Sequence, residues 1–139
     1  MKKLMLLCLL VVSAVQMNAQ KNNENTIFIF STGLDKDKMP VDNIKESKIG
    51  RENLVYMFLT NIDDSPLQAD SIHFKLYMWN QTLGKYFKDN VFSINIENNW
   101  TWCYKAIYFN LKGTFKVDVY ADERFLTSST ITSVDNGIS

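Results

Sequence analysis

Two cysteines in 139 residues cannot build a disulfide framework. Cys8 lies in an apolar run near the N-terminus, so removal of a leader would leave Cys103 alone and the core held by packing. Proline and glycine are also scarce, at two and five, and with 13% aromatic residues this excludes a collagen-like or low-complexity chain and points to an ordered domain. There is one histidine, His73, and no serine or cysteine stands in a recognisable nucleophile motif, so no catalytic residue is expected. Phosphate-binding loops, dinucleotide fingerprints and zinc spacings are missing, so no cofactor and no metal site is expected either. Basic and acidic residues balance at 15 each, and losing Lys2 and Lys3 leaves a net charge of −2. Without a basic field the chain has nothing to attract nucleic acid or an anionic membrane.

The longest apolar run, Leu4 to Val12, is shorter than the roughly 20 residues that cross a bilayer core. Lys2 and Lys3 precede it, a small polar stretch follows, and Ala19 stands before Gln20. That order is the pattern of a secretory signal peptide, expected to end at Ala19, with Ala14 as the alternative because Met17 is large for its place. Met5-Leu6-Leu7 ahead of Cys8 is not the context of a lipoprotein cysteine, so the expected product is secreted or periplasmic and not inserted in a membrane. The chain then divides into a leader over residues 1–19, a flexible arm over 20–25, one domain over 26–134 and a tail over 135–139.

Alternation of apolar and polar residues dominates what remains, as strands with one buried face require. In Ser71–Trp79 the residues Ile72, Phe74, Leu76 and Met78 fall on one face, and His73, Lys75, Tyr77 and Trp79 on the other. Phe115–Ala121 alternates as well. The polar turn Ala121-Asp122-Glu123-Arg124 leads into a hairpin partner over Phe125–Val134. Further strands are predicted over Thr26–Phe30, apolar on both faces; over Leu54–Thr60, apolar enough to be central; over Lys85–Lys88; over Val91–Glu97, after a turn at Asp89-Asn90; and over Trp100–Phe109, with large side chains on both faces. The charged segment from Leu34 to Arg51, containing Pro40, reads as a long surface connection with a short edge strand near Val41–Ile44. Asp35 with Asp37 and Asp63 with Asp64 read as turn residues, and Asn80-Gln81-Thr82 and Asn99-Trp100-Thr101 match the short N-glycosylation pattern.

Leu111-Lys112-Gly113-Thr114-Phe115-Lys116-Val117-Asp118-Val119 resembles the corner that opens the penultimate strand of immunoglobulin-like and fibronectin type III-like domains. Phe115 stands where a tyrosine corner would have its hydroxyl. The resemblance and the strand spacing together imply an all-β, antiparallel immunoglobulin-like β-sandwich of seven or eight strands. In such domains the strand at Ser71 and the strand at Phe115 share a sheet. That would put Tyr77, Trp79, Lys116, Asp118 and Tyr120 on one outer face, with Tyr86 extending it, unless the Leu34–Arg51 connection covers the rings. Trp and Tyr among a few charges make a contact surface for a protein or a glycan at the cell surface. The expected role is therefore a non-enzymatic binding module. The alternative is a structural subunit that pairs with a partner through sheet edges.

Overall fold

The computed structural model describes residues 23–135; the leader and most of the tail lie outside the described residues. Eight strands follow one another: β1 (Thr26–Ser31), β2 (Glu46–Lys48), β3 (Val55–Asn61), β4 (Ser71–Asn80), β5 (Lys85–Asn95), β6 (Trp102–Ile107), β7 (Gly113–Ala121) and β8 (Arg124–Val134). They form two sheets, a three-stranded one in the order β1-β3-β6 and a five-stranded one in the order β2-β8-β7-β4-β5. All pairings are antiparallel except β2 with β8. The expected sandwich is what forms.

Alternation along each strand decides which side chains enter the space between the sheets. Phe30, Val55, Met57 and Leu59 come from the smaller sheet and Ile72, Phe74, Val117, Val119 and Ile131 from the larger, and all are essentially buried. The Phe28 and Phe74 rings meet across the gap with centroids 5.9 Å apart, and Phe109 packs on Phe115 at 4.6 Å. Cys103 is buried on the inner face of β6, where burial pushes its thiol pKa up to about 12. No thiolate forms there near neutral pH.

Three sequence expectations need correction. The short edge strand lies at Glu46–Lys48 rather than Val41–Ile44, and runs parallel to the end of β8. Asp42, inside the expected strand, is occupied elsewhere: Oδ1 accepts from the Ser31 hydroxyl and the Thr32 amide, both at 2.8 Å, and Oδ2 accepts from the Thr32 hydroxyl at 2.6 Å. Those bonds fold the segment onto the end of β1, and pairing resumes only beyond it.

The second correction concerns Asp89-Asn90, which is no turn. Lys85–Asn95 is one strand with a bulge: Leu76 faces Asn90 and Tyr77 faces Lys88, so Asp89 is the extra residue. A bulge restores consistency where strict alternation would fail. Tyr86 and Lys88 point outward before it, and Phe92 and Ile94 still reach the core after it. Third, β6 begins at Trp102, because Trp100 closes a turn by donating its amide to the Glu97 carbonyl at 3.0 Å.

Candidate functional site

The outer face of the five-stranded sheet carries ordered rows of side chains, because the registers of β5, β4, β7 and β8 align their outward positions. Trp79 stands opposite Tyr86, Tyr77 opposite Lys116, Lys75 opposite Asp118, and His73 opposite Tyr120. On β8, Ser128 follows Asp118 and Phe125 follows Tyr120. The six residues singled out in the sequence, Tyr77, Trp79, Tyr86, Lys116, Asp118 and Tyr120, therefore share one face.

Their contacts are mutual. The Lys116 ammonium lies 4.9 Å from the Tyr77 ring centroid and 5.0 Å from that of Tyr86, so two rings flank one cation. Each such contact is worth about 0.5–1 kcal/mol where water still reaches the ammonium. Trp79 meets Tyr86 edge to face at 5.0 Å and donates its indole N–H to Gln81 Oε1 at 3.0 Å. Lys75 lies 4.1 Å above the Tyr120 ring, which also packs on Phe125 at 5.5 Å. Burial first, then the charge of Asp118 and the neighbouring Tyr120, raise the Tyr77 pKa, so its hydroxyl stays protonated.

Asp118 differs from the other five. It is only 9% exposed, with Oδ1 accepting from the Ser128 hydroxyl at 2.7 Å and lying 3.8 Å from Lys116 Nζ. Its carboxylate orients the lysine from beneath, and the surface open to contact is formed by the rings and the ammonium above it. The exposed end of the strip is at the β4–β5 hairpin, where Trp79 is 36% exposed and Leu83 in the turn faces solvent. Segment 34–51 does not run over this end. Its backbone hydrogen bonds to the rest of the domain go to the end of β1, to β8 and to Phe109, and β2 lies at the opposite edge of the sheet from β5.

Sequence reasoning missed the parts of the strip that depend on pairing. Lys75 was legible as outward but not as the partner of Tyr120, and Phe125 and Ser128 join only through the β7–β8 register. His73 Nδ1 and the Ser93 hydroxyl are hydrogen-bonded at 2.7 Å across β4 and β5. Among the described residues no carboxylate is hydrogen-bonded to the other ring nitrogen, so the pair is without the orienting third group that activates a serine.

A second aromatic group was also missed. Ile29, Phe58 and Tyr104 are aligned across the outer face of the three-stranded sheet. Trp102 stacks on Phe58 at 5.8 Å and stands nearly parallel to Tyr104 at 6.3 Å. The large side chains on both faces of Trp100–Phe109 were the available signal. Which face lay outward was not.

No family model and no curated protein matches the chain. Among solved structures, an immunoglobulin-like protein from Pseudomonas aeruginosa superposes with a TM-score of 0.54 at 10% identity, over 84% of this chain and 98% of that one. The fold is immunoglobulin-like. A Bacillus anthracis protein aligns over 87% of this chain and 91% of its own at 9% identity, with a TM-score of 0.40, too loose a likeness to carry an argument. In an immunoglobulin-like sandwich of this strand order the aromatic strip occupies the broad open face of the larger sheet, away from the β2 edge.

Proposed function

We propose that this chain is an exported, non-enzymatic immunoglobulin-like module that binds a protein partner through the outer face of β4, β5 and β7. The observation that carries the reading is the Lys116 ammonium held between the Tyr77 and Tyr86 rings beside the half-open Trp79. Aromatic residues with a paired cation are the composition of interface centres, and rings that already brace one another lose little freedom when a partner docks. The strip lies on a sheet face rather than in a cleft, which suits a flat protein surface better than a small molecule. Export rests on Lys2, Lys3, the Leu4–Val12 run and Ala19.

The test is affinity capture from the producing cells with the wild-type chain, Trp79→Ala and Lys116→Glu, with the folded state of each variant checked by its spectrum. A protein retained by the wild type and lost with both variants supports the reading, and intact mass of the exported chain should start at Gln20. Retention of the same protein by Trp79→Ala would move the contact elsewhere. Release of the captured material by a glycosidase would make the ligand a glycan.

A second reading, an assembly subunit joined through sheet edges, draws on Ile27, which projects 36% exposed from β1 at the rim of the smaller sheet.

A further inference from the structure

The sandwich is open along one side, where β5 ends the five-stranded sheet and β6 ends the three-stranded one. A groove of about 620 Å³ lies there, with Asn95 at the end of β5, Asn99, Trp100 and Thr101 in the turn, and Trp102 and Tyr104 on β6. It is a different place from the aromatic strip, and its chemistry is different too. Among the described residues, no Lys, Arg, Asp or Glu lines it. Trp100 and Tyr104 are 42% and 41% exposed, and Trp100 packs against no other ring among the described residues. Trp102, in contrast, is propped from one side by Phe58 and Tyr104, so the wall it makes cannot fold away.

The polar groups in the groove are uncharged and mostly unengaged. Asn95 Oδ1 accepts from the Ser71 hydroxyl at 3.1 Å, which fixes the amide plane and leaves its N–H groups unused. The side chains of Asn99, Trp100, Thr101, Trp102 and Tyr104 make no hydrogen bond among the described residues. A groove therefore combines open aromatic faces with several amide, indole and hydroxyl donors and no charge. That set complements a molecule with apolar C–H faces and a rim of hydroxyls, and offers nothing to an anion or a cation.

We infer that this groove binds a neutral oligosaccharide, with one pyranose ring on the Trp100 face and its neighbour's hydroxyls reaching Asn95, Asn99 and Thr101. The volume falls within the roughly 300–1,000 Å³ of ligand pockets and admits roughly two or three sugar rings. Acidic glycans and nucleic acids are disfavoured, because their charges would be desolvated against an uncharged lining. The inference does not depend on the protein-binding face, since Trp79 and Trp100 lie in different surfaces.

Three tryptophans make the experiment direct, because each gives its own indole N–H resonance. The purified protein is titrated with cellotetraose, chitotetraose and mannotetraose, and with tetragalacturonate as the charged control. At least one neutral probe should move the Trp100 and Trp102 resonances saturably and leave Trp79 in place, with an affinity that salt does not change. Trp100→Ala should weaken that binding at least about tenfold, the loss of one stacked ring. Asn95→Ala should weaken it with the fold intact, while Trp79→Ala should not weaken it. The inference is overturned if no neutral probe gives a saturable shift at millimolar concentration, or if tetragalacturonate binds as well as they do. Shifts on β6 that follow protein concentration instead of sugar would assign the groove to a second copy of the chain. A sugar mass found on Asn99 would make the saccharide an attachment instead of a ligand, and would overturn it as well.

Discussion

Phe74 and Trp79 stand on the same strand and face opposite ways, so their truncations separate core from surface. Phe74 is wholly buried and touches Phe28 across the sandwich, and Phe74→Ala should cost about 3–5 kcal/mol. Trp79 loses an edge contact with Tyr86 and one hydrogen bond to Gln81, so Trp79→Ala should cost under about 1.5 kcal/mol. Urea denaturation measures both, and equal losses would place Trp79 in the core. Asp42 gives a pH signature at the same scale. The hydrogen bond from the Thr32 hydroxyl lowers its pKa below the ordinary 3.8; desolvation, the next largest effect, opposes it, and the bonds from the Thr32 amide and Ser31 add to the lowering. The native state therefore favours the carboxylate, and the stability it contributes is present above pH 3.8 and lost as acid takes the pH through the lowered value. Melting temperatures of wild type and Asp42→Asn should differ at neutral pH and converge in acid. A gap that persists at the acid end would mean that the charge on Asp42 is not what holds the segment to β1.

At the scale of elements, β5 is where pattern and pairing conflict. Tyr86 belongs to the outer strip and Phe92 and Ile94 to the core, yet these residues are an even number apart and regular alternation would put all three on one face. Asp89 resolves the conflict as the bulged residue. Deleting Asp89 would put Lys88 next to Asn90 opposite the consecutive Tyr77 and Leu76, so Tyr86 and Phe92 become an odd number apart and plain alternation keeps Tyr86 outward and Phe92 and Ile94 in the core. The deletion variant should keep both its core and the Tyr86–Trp79 and Tyr86–Lys116 contacts on an unbroken ladder, and change in stability by less than about 1 kcal/mol. Hydrogen exchange along β4 and β5 would read the unbroken ladder, and a changed Trp79 fluorescence would contradict it. In the sequence Asp89-Asn90 reads as a turn because its composition is that of one. A bulge and a turn use the same residue types, and only the presence of β4 alongside distinguishes them.

For the molecule as a whole, the question is what its free edges do. β5 carries Lys85, Lys88 and Asp89, and β6 carries Lys105; charges of this kind discourage edge-to-edge pairing. A chain that binds through the face of β4, β5 and β7 should thus sediment as a monomer in dilute solution. A stable dimer whose dissociation exposes Ile27 would favour the assembly reading instead.

Local alternation was enough to determine the inner faces of β4 and β7, the β7–β8 hairpin turn and the all-β class, because a strand with one buried face must repeat every second residue. The outward set Tyr77, Trp79, Lys116, Asp118 and Tyr120 was legible for the same reason. Other features were decided only by the tertiary structure. Register fixed that Lys116 sits between two rings and that Asp118 is nearly covered beneath it, since neighbours across strands are far apart in the chain. The place of β2 depended on β8, and the meaning of Asp89 on β4. The neutral groove beside Trp100 could not be read from either of the strands that border it. It exists because two sheets end side by side there, and a gap between edges has no pattern in a single segment.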